Sequence, residues 1–269
     1  MNVLLLGAHG YLGPHVVAAL APHHHLRITD IKPAPETLRQ QYAGAEFMDA
    51  DITSASQVLR AAQGMDAIIN LAVVRTHPVL AFRVNALGCY HMMQAAIALG
   101  IRRVINTGPH FTVAGPRYEG FDHWINPDVP PHPGTNLYAL TKALGHQICL
   151  ALAERHGVYV QNYLFYSFRG ATELKPGTGG VPFAVSWRDA AEVFRLGLEI
   201  DLAKLPSHCE VFFISGDTPQ GKFRNDKAKR ILGFAPKDDV SVLWRHLAAG
   251  WHDQSEAMAV AKPSRHTLH

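Results

Sequence analysis

The first thirty residues constrain this chain more than any other stretch. Asn2–Leu6 is a short unbroken apolar run, as a parallel strand buried on both faces requires. Gly7-Ala8-His9-Gly10-Tyr11-Leu12-Gly13 follows at once, a G-x-x-G-x-x-G turn. Its first glycine permits the tight turn off the strand, its second lets backbone N–H groups approach a pyrophosphate, and its third lets the next helix pack close to the sheet. That helix runs through Val16, Val17 and Leu20, with the positive end of its dipole toward the turn. Residues 26–30 read as the second strand, and Asp30 stands 17 residues after Gly13, near the spacing at which a carboxylate accepts from both ribose hydroxyls of an adenosine. A carboxylate there repels a 2′-phosphate, so the motif selects NAD over NADP.

Composition narrows the class. At 269 residues the chain can bury a large core. With 48% hydrophobic and 17% charged residues it is globular rather than disordered. A formal charge of +3 without a long Lys/Arg run argues against a nucleic-acid partner. The apolar run before Gly7 is too short for a signal-peptide core, and no stretch is long enough to span a membrane. Cys89, Cys149 and Cys209 are odd in number and far apart in sequence, which points to reduced thiols in a cytoplasmic protein. His23-His24-His25 lies in a turn without acidic or thiol partners nearby and is read as solvated, so no metal site is expected.

Beyond residue 30, strand and helix signals alternate. Residues 46–48 and 67–71 read as the third and fourth strands, 56–63 as a helix, 79–99 as a long helix and 103–106 as the fifth strand. Residues 107–116 leave its carboxyl end, the edge of an open parallel sheet at which ligands sit. A helix over 137–156 and a strand over 158–164 follow. The alternation predicts right-handed crossovers and a Rossmann-type, doubly wound α/β sheet. Residues 1–165 are assigned as the NAD-binding core, 166–252 as a small C-terminal substrate lobe interleaved with it, and 253–269 as a polar tail. Within the lobe, 170–182 is glycine-rich and aperiodic, 186–196 opens a helix, and 210–214 is a late strand. Residues 222–236 read as a helix closed by Gly233 and Pro236, and 240–251 as a final helix.

Tyr138 and Lys142 stand four apart at the start of a predicted helix, so both side chains emerge on one face. An ammonium beside a phenol favours the phenolate and draws a pKa of about 10 toward the working pH, where it can exchange a proton with a substrate hydroxyl. Asp51 is placed either to meet an adenine amino group or beside a helix N-cap at Thr53 or Ser54.

Together Gly7, Gly10 and Gly13, Asp30, Asp51-Ile52, Asn85 before Gly88, Tyr138 with Lys142 and the run 225–236 resemble the extended short-chain dehydrogenase/reductase superfamily. More narrowly they are similar to its NAD-dependent epimerase/dehydratase branch, and the compact length and Pro109-His110 loop are similar to the uronate dehydrogenases within it. The resemblance implies NAD in the N-terminal sheet, a small-molecule substrate under the C-terminal lobe, and a homodimer built on the helices near 79–99 and 137–156. It implies coenzyme contacts from Gly7, His9, Gly10, Tyr11, Leu12, Gly13, Asp30, Ile31, Asp51, Ile52, Leu71, Ala72, Asn85, Tyr138 and Lys142.

Three positions depart from the family pattern. The hydroxyl residue expected after the fifth strand is Gly108 here, which leaves Thr107 or Thr112 as donor to the reacting oxygen. His110 matches a substrate-contacting histidine of uronate dehydrogenases and is read either as a donor to that same oxygen or as an ordinary loop histidine. The arginine that grips a carboxylate in such enzymes falls at Gly179-Gly180, which disfavours a uronate; Arg75 and Arg169 could supply charge elsewhere but are first read as solvated. The leading expectation is an NAD-dependent oxidoreductase that moves hydride between the nicotinamide and a hydroxyl or carbonyl of a sugar, sugar acid or similar polyol, with Tyr138 as acid/base. An epimerase or dehydratase with tightly bound NAD and a non-catalytic NAD-binding redox sensor are the alternatives, the last suggested by Gly108.

Overall fold

The computed structural model describes residues 1–113 and 124–245. In chain order its strands are β1 (Asn2–Leu6), β2 (His25–Asp30), β3 (Glu46–Asp49), β4 (Ala67–Asn70), β5 (Arg103–Pro109), β6 (Tyr159–Phe165), β7 (Ser167–Arg169), β8 (Ala184–Ser186) and β9 (Cys209–Phe213). Seven of them make one parallel sheet in the order β3-β2-β1-β4-β5-β6-β9, and β7 pairs with β8 in a separate parallel ribbon. The helices are α1 (Gly13–Leu20), α2 (Glu36–Gln41), α3 (Ala55–Ala62), α4 (Pro78–Ala81), α5 (Gly88–Leu99), α6 (Leu137–His156), α7 (Trp187–Glu199) and α8 (Asp226–Leu232). This is the expected Rossmann-type arrangement, with further elements after β6.

Alternation along each strand divides the core between two helical layers. Val3, Leu5, Ile28 and Ile69 face Val16, Val17 and Leu20 of α1 and Val193 and Phe194 of α7. Leu4, Leu6, Ile68 and Val104 face Val58 of α3, Met92 and Met93 of α5 and Cys149 of α6. Both faces are covered, which is why the central strands are mostly apolar. The chain returns across β1 between β3 and β4, so the order reverses there and opens a crevice at the carboxyl ends of the strands.

One polar line crosses this apolar sheet. Asn70, Asn106 and Asn162 are in register on β4, β5 and β6. Asn70 donates to Asn106 at 2.9 Å and Asn106 to Asn162 at 3.0 Å, while Asn162 donates to the Cys209 sulfur at 3.3 Å. The cysteines, distant in sequence, therefore gather at this ladder: Cys89 lies against Asn70 and Asn106, and its thiol meets that of Cys149. All three are free thiols.

Four boundaries differ from expectation. The helix expected over 79–99 is divided by a π-helical segment, Phe82–Leu87, between α4 and α5. β5 continues to Pro109 because Thr107, Gly108 and Pro109 keep pairing with Tyr163, Leu164 and Phe165 of β6. α8 begins only at Asp226, since Phe223 is drawn into a bridge with Ile125. Val240–Trp244 is a short 3-10 turn, while residues 246–251 of the expected last helix, the tail 253–269 and positions 114–116 of the loop after β5 lie outside the described residues. Among the described residues no helix is long and apolar enough to cross a membrane.

Candidate active site

A cavity of about 780 Å³ occupies the crevice. Gly7, Gly10, Tyr11, Leu12 and Gly13 line one end, and Leu71, Thr107, Gly108, Arg75 and Tyr138 also line it. Phe165, Tyr166 and Phe168, from β6 and β7, together with Trp187 at the start of α7, complete the wall with aromatic surface. The aromatic residues at 165, 166 and 168 are the sequence signal for this wall.

The glycine turn is shaped for close approach. Gly7 has φ +75°, and a Cβ there would stand 2.6 Å from the Ala72 backbone. A Cβ on Gly13 would lie 1.8 Å from the Ala8 carbonyl oxygen, so only glycine lets α1 start where it does. No side chain caps α1; Pro14 has no N–H, and Gly13 and Val16 donate to the Gly10 and Leu12 carbonyls, so within the first turn the His15 N–H is the one left for an anion. At the end of β2, Asp30 is held by the N–H of His9 at 2.9 Å and the N–H of Ile31 at 2.8 Å. A crowded turn, an uncapped helix and a fixed carboxylate fit the pyrophosphate and ribose of a dinucleotide.

Tyr138 opens α6, whose N-cap Asn136 accepts from the Ala139 N–H at 3.0 Å. One turn on, Lys142 is fully buried, and its Nζ donates to the Ala72 carbonyl at 2.9 Å. Burial pushes the ammonium below the ordinary lysine value. A second cation stands beside the phenol: the Arg75 guanidinium carbon lies 5.6 Å from the Tyr138 ring centroid. Burial raises the phenol's pKa, and the charge and hydrogen bonding of Arg75 oppose that rise. The i, i+4 spacing put Tyr138 and Lys142 on one face, but the Ala72 carbonyl competes for the ammonium.

The proposed substitutes for the missing hydroxyl are otherwise engaged. Thr107 lines the cavity, yet its hydroxyl donates to the Asn70 carbonyl at 2.8 Å; that of Thr112 donates to the Pro109 carbonyl at 3.0 Å. His110 does not reach the cavity lining. Its ring is fully buried, 4.6 Å from Tyr166, 4.7 Å from Phe183 and 4.9 Å from Phe223 between centroids. Its N–H continues the β5–β6 pairing by donating to Phe165. His110 thus sits in the turn that follows β5, with its ring set in an aromatic core. Gly108 has a structural reason: a Cβ there would lie 2.8 Å from the ring of His146, a residue of α6 that the sequence reading passed over. Tyr138, Lys142 and His146 recur every fourth residue, and that spacing was the available signal.

Other expected contacts lie outside the cavity lining. Asn85, in the π-helical segment, accepts from the Val74 N–H and donates to the Val74 carbonyl and the Thr141 hydroxyl. It braces the loop leaving β4 against α6 and does not line the cavity. Asp51 accepts from the Thr53 N–H at 2.8 Å, and Ile52 is buried against Gly88; neither lines the cavity. The Arg169 Nη2 lies 2.6 Å from where a Gly180 Cβ would stand, so that guanidinium fills the place of the absent side chain without lining the cavity.

The family model for the NAD dependent epimerase/dehydratase family matches residues 3–184, two thirds of the chain and all of the sheet but its last strand. The chain belongs to that family. Members share the NAD coenzyme that the turn, the uncapped helix and Asp30 fit here, and the chain is an enzyme of this kind. Among curated relatives, the NAD-dependent glucose-6-phosphate dehydrogenase of Haloferax volcanii is 25% identical over 253 residues, covering 88% of this chain and 93% of that protein. Of the solved structures, a mutant uronate dehydrogenase of Agrobacterium tumefaciens complexed with NAD superposes with a TM-score of 0.74 at 21% identity, covering 98% of this chain and 90% of the other. A glucuronic acid dehydrogenase of Chromohalobacter salexigens gives 0.74 at 22%, covering 95% and 88%. At those identities the two structures show a shared fold.

Proposed function

We propose that the protein is an NAD-dependent dehydrogenase that oxidises a secondary or hemiacetal hydroxyl of a sugar, sugar acid or similar small polyol, with Tyr138 as acid/base. The observation that carries this reading is that one cavity joins the glycine turn of the coenzyme site to the phenol of Tyr138. The Haloferax relative, of which the chain spans 93%, is an NAD-dependent glucose-6-phosphate dehydrogenase, which supports the dehydrogenase reading.

Bound NAD would supply the hydride acceptor for the carbinol carbon. The pyrophosphate falls to the N–H groups of the glycine turn and α1, and the ribose to Asp30. Tyr138 takes the hydroxyl proton, and Arg75 beside it stabilises the phenolate that must exist first. Lys142, tied to Ala72, fixes the β4 loop under the cavity. Residues 1–165 form the coenzyme side, and the segment from 166, which brings Tyr166, Phe168 and Trp187, forms the substrate side. The assembly is a homodimer. Val79, Leu80, Phe82, Leu87 and Tyr90 between α4 and α5, with Leu144 of α6, are exposed large apolar residues on the two helical segments that a second copy would cover.

A panel of polyols, aldoses and sugar acids incubated with NAD tests this through absorbance of the reduced nicotinamide. A dehydrogenase accumulates it stoichiometrically, whereas an epimerase returns the hydride and accumulates none. Tyr138→Phe should lower kcat by about a hundredfold or more with NAD affinity unchanged; full activity in that variant would remove the assignment.

A further inference from the structure

We infer that Arg75 is the charge-selecting residue of the cavity and that the substrate carries an anionic group, a carboxylate or a phosphate, close to the carbinol that Tyr138 serves. This deepens the dehydrogenase reading and rests on it. Arg75 is the one charged side chain among the described residues that line the cavity. It forms no ion pair with any of them, in contrast to Arg27, Arg188, Arg195, Arg224 and Arg245, each of which meets a carboxylate. Beside it is the Tyr138 ring, 5.6 Å from the guanidinium carbon, with whose phenol it hydrogen-bonds.

The surroundings magnify that charge. Phe111, Phe165, Tyr166 and Phe168 give the cavity low-dielectric walls, and an anion entering from water meets a cation screened far less than on an open surface. A guanidinium presents a planar fork that matches two oxygens of a carboxylate or phosphate. The coenzyme does not need this cation. Its pyrophosphate is matched by the glycine turn and α1, whereas Arg75 is placed by its contact with Tyr138 at the site of proton transfer. The other arginine of interest, Arg169, is turned into the space beside Gly180 and does not line the cavity.

The test is equilibrium binding to the NADH-loaded protein by calorimetry, with glucuronate, glucose 6-phosphate and glucose as probes, alongside NADH production from each with NAD. One of the two anions should bind at least about tenfold more tightly than glucose, and which one identifies the carboxylate or phosphate. Arg75→Gln should weaken that anion by about tenfold to a hundredfold while NADH and glucose affinities stay within about twofold. Arg75→Lys should restore part of the loss, and Arg169→Gln should leave the preference intact. Equal binding of glucose and both anions, wild-type anion affinity in Arg75→Gln, or loss of preference in Arg169→Gln would each overturn the assignment. Arg75-dependent anion binding without NADH production from any probe would sink the dehydrogenase reading instead and leave the anion site standing.

Discussion

A methyl group added at residue 108 would stand 2.8 Å from His146, so restoring the hydroxyl residue of the wider family is not a local change. Gly108→Ser should destabilise the protein by about 1–3 kcal/mol through overpacking, as a urea midpoint shift would register. The Gly108→Ser, His146→Ala double variant should recover most of that loss. His146 makes a second prediction. Burial first, then the Lys142 charge, hold its imidazole down at about 3, against 6.5 for an unperturbed histidine. Between those values the unfolded chain binds a proton that the native one refuses, so stability is complete above pH 6.5 and falls as the pH drops toward 3. His146→Ala should flatten that acid limb by close to one proton; an unchanged slope would show that His146 is protonated in the fold.

At the scale of elements, α8 is fastened to β9 by the ammonium of Lys227, which meets Glu210 at 2.6 Å and also Asp128. Both Lys227 and Glu210 are buried, so losing one partner leaves an uncompensated charge. Lys227→Ala should cost about 3–5 kcal/mol, whereas the paired change Lys227→Met with Glu210→Leu should cost much less. The asparagine ladder behaves as a unit in the same sense. Asn70 supports the Ala72 N–H at 3.1 Å, and the Ala72 carbonyl in turn holds Lys142, so the ladder's end reaches the candidate site. The residue chemistry was readable in the sequence, but the convergence was not: Asn70, Asn106 and Asn162 meet only because β4, β5 and β6 are adjacent and in register.

For the whole molecule, coenzyme affinity and stability are linked. At about a hundred times its dissociation constant NAD should add about 2.7 kcal/mol and raise Tm by several degrees. Asp30→Ala should shrink that shift for NAD and bring the NADP shift level with it, since the carboxylate that repels a 2′-phosphate is gone. Sedimentation should give twice the 29.5 kDa chain mass, and Phe82→Asp combined with Tyr90→Asp should halve it by placing charge in the apolar face. A wild-type monomer would refute the dimer without touching the chemistry.

The sequence by itself determined the parallel sheet, the order of its strands through β6, the glycine turn with Asp30, and the placing of Tyr138 and Lys142 on one helical face. These follow from local rules: apolar runs, the steric freedom of glycine and the pitch of a helix. Only the tertiary structure decided which partner each polar group takes. It gave Lys142 to Ala72, Arg75 to Tyr138, the Thr107 proton to Asn70 and the His110 ring to an aromatic core. Such choices depend on competition among donors and acceptors brought together from distant positions, and spacing along a chain does not record who wins it.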